Sequence, residues 1–409
     1  MAKKNSKKMK KKSKKSQKTK NIIKLLAIIV VALAVIISAV TATVATIKKK
    51  KAEKTVRIAF YGLSEEYVNI LKEKIPVEDK IILKMDILSE GAIDLASIKE
   101  KYDMLFTWKG EVTDSLEASS EDIPARIIET MPNSLRNKKC VPILLDHCEL
   151  AYSKDVINKT IESVPSSLPS FLNYLNQAKN HVFSPFFCEG GDDRVLTAFV
   201  GSLIEAMGGV KAYRNLISEL KNGTNFEELL DKDLGAPNVS LRSVLDMLKT
   251  WPKEGLTHPA WFNGQRNDLL YFADDNNIGV FFTYLKDHRN IPYKTISKYE
   301  SFVVPPTSST IEYGIIAPAI SCMLLTDNAN CKRYLAEFFT EDAQADLSNL
   351  TKLAPVHSRA QAYDRQADDV RFWAASCPGG ALPDLYLAVY QRNPTAFAEF
   401  ANNIRAYIK

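Results

Sequence analysis

The sequence contains none of the short motifs that carry common catalytic chemistry. There is no G-x-S-x-G nucleophile elbow, no G-x-x-x-x-G-K-[ST] phosphate loop, no G-x-G-x-x-G turn and no H-E-x-x-H zinc helix. Neighbouring carboxylates such as Asp274-Asp275 would point apart, so they do not form a catalytic pair. The residues therefore give no positive sign of an enzyme, and we expect neither catalytic residues nor a cofactor.

Cysteine and histidine are also scarce. The six cysteines include no C-x-x-C pair and the five histidines no H-x-x-x-H, so no metal-site spacing occurs and no metal is expected. In an exported protein the cysteines could form disulfides, although their spacing does not say which would pair. We expect most of them to be buried free thiols. No repeat of fixed period occurs, which argues against a solenoid.

Charge is distributed very unevenly along the 409 residues. Residues 1–54 hold 17 Lys and one Glu, whereas the rest holds 37 Lys plus Arg against 47 Asp plus Glu. A head of charge +16 thus precedes a body of charge −10. Because nucleic-acid binding requires a basic face on the folded part, nucleic acid is not an expected partner.

The basic head contains one long apolar run. The 23 residues from Leu25 to Ile47 carry no charge, and about 20 apolar residues suffice to span a bilayer. By the positive-inside rule, the lysines before the run make residues 1–24 a cytoplasmic tail and 25–47 a transmembrane anchor. The body would then lie outside the cytoplasmic membrane, in the periplasm or at the cell surface. A cleavable signal peptide is the alternative, although the length of the run and the lysines at 48–51 favour the anchor.

The body begins with alternating strands and helices. Strands are predicted at 55–61, 81–88 and 103–108, and helices at 65–74 and 93–102. This alternation is typical of an α/β fold with a parallel sheet and crossover helices. Ligands of such folds bind beyond the carboxyl ends of the strands, where Trp108 stands. Helices then dominate from 168 to 249, including 193–207 and 210–221, and the chain ends in a helical stretch at 385–408.

Two stretches of the body carry spaced patterns of one protein family. Residues 141–154, VPILLDHCELAYSK, place a proline before a strand, an acidic residue within it and a tyrosine before a Ser-Lys pair. Residues 337–355 contain Phe338-Phe339, Gln344 and Leu353-Ala354-Pro355, with Lys352-Leu353 in place of the usual glycine. They resemble extracellular solute-binding proteins of ATP-binding-cassette importers, in particular the carbohydrate-binding group that includes the maltodextrin-binding proteins. The likeness covers nearly the whole body from residue 55.

The resemblance implies a periplasmic-binding-protein-like fold, in which two α/β lobes joined by hinge crossings close on a ligand. Lobe one would hold residues 55–142 and 307–350, and lobe two 143–306 and 351–409. It also implies a small-molecule ligand, with a sugar suspected, and the permease subunits of an importer as partners. The lipid bilayer would be a further partner through residues 25–47.

A sugar site needs aromatic rings that stack on the sugar and acids that bind its hydroxyls. By the resemblance, Trp108 would be a stacking aromatic and Asp146 the acid of the hinge. Core packing of Trp108 and a hinge-stabilising hydrogen bond from Asp146 are the alternatives. Phe186 lies in Ser184-Pro185-Phe186-Phe187, which resembles the family's E-P-Y-F ligand loop, but Ser184 has lost the acid.

Three further residues complete the predicted ligand site. Glu189 would replace the missing acid, or would cap the following helix; capping is predicted for Asp192 and Asp193. Tyr284 follows a predicted strand, where the family often places Gly-x-Trp. Tyr390 lies where the family carries stacking aromatics, and core packing is its competing interpretation.

Two functional classes remain open from the sequence. The first is a receptor that hands its ligand to an importer. The second is a membrane-tethered sensory or structural module on the same fold with a degenerate pocket. We predict the first class and keep the second as the alternative, toward which the missing aromatic near Lys286 and the missing acid at Ser184 count.

Overall fold

The computed structural model describes residues 54–161 and 163–409, together with Ala34, Ile37 and Ser38. The predicted anchor at 25–47 otherwise lies outside the described residues. Residues 56–79 and 83–409 form one compact unit. In the other unit, residues 1–55 and 80–82, the Ile82 N–H donates to the Lys54 carbonyl at 2.8 Å.

The strands and helices of the described residues alternate along much of the chain. The strands are β1 Thr55–Tyr61, β2 Ile82–Leu88, β3 Met104–Trp108, β4 Cys140–Leu145, β5 Cys148–Ser153, β6 Ser184–Cys188, β7 Ile278–Tyr284, β8 Tyr299–Phe302, β9 Ile315–Ile316, β10 Ala319–Leu324, β11 Ala354–Pro355 and β12 Ala381–Leu382. The α-helices are α1 Glu65–Glu73, α2 Leu95–Lys101, α3 Glu111–Glu117, α4 Ala125–Ile128, α5 Lys154–Thr160, α6 Leu168–Ala178, α7 Asp193–Lys221, α8 Phe226–Leu230, α9 Leu241–Glu254, α10 Arg266–Asp274, α11 Leu285–Arg289, α12 Tyr293–Ile296, α13 Ala329–Glu337, α14 Glu341–Thr351, α15 Arg365–Ser376 and α16 Pro394–Ile408. Short 3-10 turns occur at Asn133–Leu135 and Trp261–Asn263, and a π-helical turn at Tyr386–Tyr390.

Two main sheets organise the body. The first has the strand order β11-β4-β10-β3-β1-β2 and the second the order β6-β7-β5-β8, while β12 and β9 form a small pair. The pairs β1–β3 and β6–β7 are parallel, but β10 is antiparallel to both β3 and β4. The sheet predicted as parallel is therefore mixed, because the chain leaves it after β4 and returns at β10 in the opposite direction.

The crossing from the first sheet to the second lies at Asp146-His147, between β4 and β5. The predicted division placed it at Pro142, but β4 continues past this residue to Leu145. The reason is a bulge in β4 at Ile143, since Ile320 of β10 pairs with Leu144 and the next residue, Ser321, pairs with Pro142. A proline is tolerated within a strand at such an irregularity, so it does not end the strand. The segment β11 likewise extends the first sheet beyond residue 350.

Helix α7 contains the break that the sequence predicted. Its two predicted segments are joined at Gly209, which has a φ of 74° and a non-helical ψ of −177°. A side chain there would meet Ile311, since a Cβ would lie 2.6 Å from the Ile311 Cγ2. Glycine is therefore required for both conformation and space. Among the described residues α7 alone is long and apolar enough to cross a membrane, and it is mostly buried within the body.

The core of the second sheet is rich in aromatic rings. Phe186, Trp251 and Trp261 are at most 1% exposed, and the Phe186 ring stacks on Phe199 at 4.7 Å. Burial of rings of this size supplies a large share of the hydrophobic stabilisation of a domain. All six cysteines are buried and free, as predicted for most of them.

Candidate functional site

A cleft of about 590 Å³ lies where the strand ends of the two main sheets come together. Residues at or just after the ends of β1, β2 and β3 line one side, and residues at or after the ends of β6 and β7 line the other. Its aromatic lining is Tyr67, Trp108 and Tyr284, and its charged lining is Glu90, Asp146, Asp192, Arg194, Lys286 and Asp287. This is the place where open α/β sheets bind ligands, beyond the carboxyl ends of their strands. We call it the cleft.

Three of the six predicted site residues meet in the cleft. Trp108 ends β3, Tyr284 ends β7, and Asp146 lies on the crossing between the sheets. They come from three distant parts of the chain, so their proximity is a product of the sheet topology. The structure thus brings Trp108, Asp146 and Tyr284 together, and their role in binding stays a prediction.

Arg194 is the central cation of the cleft. Its guanidinium carbon lies 5.4 Å from the ring centroids of Trp108 and Tyr284 and 5.7 Å from that of Tyr386. Its Nε donates to Asp384 Oδ2 at 2.8 Å, and the Tyr284 hydroxyl donates to the same oxygen at 2.8 Å. Burial lowers the pKa of Arg194, but the charges of Asp384, Tyr284 and Asp146 and the hydrogen bond to Asp384 together outweigh it, and the pKa is raised. Arg194 therefore stays charged within a box of three aromatic rings.

Trp108 is held on several sides and is only 5% exposed. The Tyr67 ring meets it edge-on with centroids 6.0 Å apart, and Arg194 lies over its ring. Stacking on a sugar needs a free ring face. In this structure the Arg194 guanidinium occupies that position, so ligand stacking on Trp108 requires Arg194 to move.

Asp146 is a buried acid with few partners. Its Oδ1 accepts the Lys286 backbone N–H at 3.0 Å, and the residue is 7% exposed. Burial raises the pKa of Asp146 to about 7, and the charge of Asp287 adds to the rise against the opposing effects of that hydrogen bond, Arg194 and Lys286. Burial likewise raises the pKa of Asp287. The cleft therefore holds two acids that ionise only at a free-energy cost.

The structure places Phe186 away from the cleft. Its ring is fully buried between Phe199 and Trp251, at centroid distances of 4.7 and 5.2 Å. Both faces of β6 are buried, so alternation along this strand exposes no ring to ligand. Phe186 is therefore a core residue and is not part of the candidate site.

Glu189 and Tyr390 also lie outside the cleft. The Glu189 carboxylate accepts from Arg266 Nη1 at 2.8 Å, so this acid already has a cationic partner. Tyr390 packs on Phe397 and Phe400 and lines a different cavity, of about 610 Å³, with Phe400. Packing, the competing interpretation, describes Tyr390 in this structure.

The start of α7 shows which of the two predicted caps is used. Asp192 accepts from the Arg194 and Val195 backbone N–H groups at 2.8 and 3.1 Å, as predicted. Asp193 instead pairs with Arg405 at 2.6 Å, because its side chain points to α16. The helix end is therefore capped by one acid alone.

The sequence analysis missed Arg194 as a site residue. A weak signal existed, since a cation in the first turn of a helix opposes the helix dipole and needs another reason to be there. That reason is Asp384, which lies 190 residues further along the chain. A single sequence gives no sign of this pairing.

Comparison with solved structures identifies the fold of most of the chain. The chain matches the bacterial solute receptor AcbH, which has an exclusive preference for β-D-galactopyranose, with a TM-score of 0.68 and 13% identity over 87% of this chain and 92% of that one. The chain has the solute-binding-protein fold. A probable secreted solute-binding lipoprotein from Streptomyces coelicolor matches with a TM-score of 0.58 and 12% identity over 87% and 97% of the two chains. A sugar transporter protein from Bacillus licheniformis in complex with stachyose matches with a TM-score of 0.56 and 13% identity over 86% and 94%.

No family model and no curated protein matches the sequence. At 12–13% identity the structural likeness establishes the fold, as the sequence resemblance implied. Sequence identity at this level carries no ligand from one protein to another.

The packing of Trp108 predicts a structural cost for its removal. We expect Trp108→Ala to lower the free energy of unfolding by about 3–5 kcal/mol, because a buried ring and its contact with Arg194 are lost together. Trp108→Phe, which keeps a ring beneath Arg194, should lose much less. Denaturant midpoints of the two variants measure this. A loss under about 1 kcal/mol for Trp108→Ala would show that the ring contributes little to the fold.

The raised pKa of Asp146 predicts a pH-dependent effect of its replacement. In the folded protein the acid keeps its proton up to about pH 7, whereas an unfolded Asp loses it near pH 4. The contribution of Asp146 to the free energy of unfolding therefore falls as pH rises from about 4 to about 7. Asp146→Asn should be more stable than the parent at pH 8, by at most about 4 kcal/mol, and should lose that advantage near pH 4.

Denaturant unfolding of parent and variant at the two pH values measures this difference. Glu205, whose pKa burial also raises to about 7, is present in both proteins and cancels in the comparison. An equal stability difference at pH 4 and pH 8 would contradict the expectation.

Proposed function

We propose that this chain is a solute-binding protein outside the cytoplasmic membrane, which captures a small polar ligand, a sugar first of all, for an ATP-binding-cassette importer. The observation that carries the proposal is the cleft, in which strand ends of both sheets and the crossing residue Asp146 meet. Two lobes on either side of that crossing would close around the ligand and present it to the permease subunits. No catalytic step is part of this proposal.

The fold and the composition of the cleft support this function together. Solved proteins of the same fold include a receptor for β-D-galactopyranose and a protein in complex with stachyose. The cleft combines acids with hydroxyl and aromatic side chains, which is a lining suited to polyhydroxylated solutes.

The second candidate function is a tethered sensory or structural module. The position of Arg194 favours this second function, because the guanidinium lies over the ring faces that would otherwise stack on a sugar. Under this alternative the cleft binds no solute, and Arg194 stays over the rings of Trp108 and Tyr284.

Closure on ligand separates the two candidates. A thermal-shift screen of sugars, polyols and amino acids finds a ligand, since a solute that binds only the folded state raises the melting temperature. That ligand should then reduce the radius of gyration in solution X-ray scattering, whereas a non-binding sugar should not. A verified ligand that leaves the radius unchanged would contradict hinge closure.

We further propose that residues 25–47 anchor the protein in the membrane with residues 1–24 in the cytoplasm. The uncharged run and its flanking lysines support this. Native protein should sediment with membranes and resist extraction by high salt and by carbonate. A mature N-terminus near Thr43 or Thr46, found by N-terminal sequencing, would indicate a cleaved signal peptide instead.

A further inference from the structure

The basic side chains of the cleft already have partners within the protein. Arg194 is ion-paired with Asp384 and surrounded by three rings. The Lys286 Nζ lies 4.6 Å from the centroid of the Tyr67 ring, which stabilises the ammonium by its electron-rich face. The Arg194 Nη2 is buried without a hydrogen-bond partner among the described residues. The charges of Arg194 and Lys286 also lower the pKa of Asp146 and of Asp287, although burial outweighs them.

Two acids of the cleft, Asp146 and Asp287, have fewer partners. Within the described part of the chain, the Asp146 carboxylate accepts one hydrogen bond, from a backbone N–H, and forms no ion pair. The Asp287 side chain forms neither a hydrogen bond nor an ion pair among the described contacts, although it lines the same cleft. The two carboxyl groups interact electrostatically, since the charge of Asp287 raises the pKa of Asp146. A cation between them would relieve both their desolvation and their mutual repulsion.

Tyr67 adds a third polar group to the same region. Its hydroxyl is buried and has no hydrogen-bond partner in the described structure. Tyr67, Asp146 and Asp287 line the same cleft. Burial raises the pKa of Tyr67, and the charges of the two acids are among the further causes. A buried hydroxyl without a partner costs free energy, which a ligand with hydrogen-bond donors and acceptors would recover.

The aromatic rings of the cleft leave little room for sugar stacking. Trp108 and Tyr284 face Arg194, and Tyr67 faces Lys286. Recognition therefore rests on the carboxyl groups. Carboxylates prefer ligands that bring N–H or O–H donors, and a charged donor makes the stronger bond.

We propose that the ligand of this cleft is an amino sugar, with its protonated amine bound between the carboxylates of Asp146 and Asp287. This inference rests on the proposed function as a sugar-binding receptor and adds the charge of the ligand. The hydroxyls of the sugar would bind Tyr67 and the remaining polar groups. A metal ion is a poorer occupant, because the described residues contain no group of three or more acidic, histidine or cysteine ligands that could hold one.

The test compares sets of three sugars that differ only in the substituent at one carbon. Full-length protein in detergent is titrated calorimetrically with glucosamine, galactosamine and mannosamine, each beside its parent hexose and its N-acetyl derivative. In at least one series the free amine should bind about tenfold or more tightly than both neutral partners, because a charge-assisted bond replaces a neutral one. The N-acetyl derivative controls for the size of the substituent at the nitrogen.

Asp287→Asn tests the assigned carboxylate. The variant keeps the shape of the side chain and should bring the affinity for the amine to within about threefold of the neutral hexose. Asp275→Asn, at an exposed acid that does not line the cleft, is the matched control and should leave the preference for the amine unchanged. Melting temperatures of both variants establish that they fold.

The outcomes separate this inference from the function on which it rests. If neutral hexoses bind as tightly as their amines in every series, the amino-sugar assignment is wrong while the sugar receptor stands. If Asp287→Asn keeps the full preference for the amine, the amine does not bind at Asp287. If no sugar of either kind binds, both the receptor proposal and this inference fail.

Discussion

The ion pair between Arg194 and Asp384 holds the cleft together. Asp384 is fully buried, accepts from the Arg194 Nε and the Tyr284 hydroxyl through one oxygen, and accepts the Leu387 backbone N–H through the other at 2.9 Å. These contacts join the start of α7, the end of β7 and the π-helical turn near the C-terminus. Removal of the Arg194 charge would leave Asp384 buried without a cationic partner, which is far more costly than the pair itself is stabilising.

The same arginine connects the two sheets across the cleft. It belongs to the helix that follows β6, yet its guanidinium lies over Trp108 at the end of β3. A second contact also spans the cleft: the Tyr386 hydroxyl donates to Glu90 Oε2 at 2.7 Å. Any motion that opens the cleft must break both contacts or carry one partner with it. Arg194 thus couples the packing of the aromatic rings to the geometry of the binding region.

The sequence predicted the local features of the fold well. The bounds of β1, the break at Gly209 and the polar cap at Asp192 follow from local chemistry, namely branched apolar residues, a glycine-only conformation and an acid before a helix. Pro142 marked the predicted lobe boundary, whereas β4 continues past it to Leu145, because the bulge that accommodates the proline depends on the partner strand β10. Local patterns do not contain that partner.

The candidate site was predictable only in part, for a related reason. Trp108 could be found because it ends a strand, and strand ends form the binding edge of this fold class. Asp146 and Tyr284 were found through the family resemblance. Phe186 was predicted as a ligand residue because its segment resembles the family's ligand loop, whereas the structure makes the segment the buried strand β6. Arg194 was missed because its meaning depends on Asp384 and on three rings from other parts of the chain.

The free-energy cost of the polar groups in the empty cleft favours ligand binding over a purely structural role. A structural module gains nothing from a buried acid that ionises only at a cost, from a second acid without a partner, or from an unpaired tyrosine hydroxyl. Apolar residues of similar volume at Asp146 and Tyr67 would fill the same space without these penalties. Such penalties are common where a ligand supplies the missing partners, since the free energy withheld in the empty cleft is recovered on binding. The polar groups that weaken the empty cleft are therefore the groups best placed to recognise its ligand.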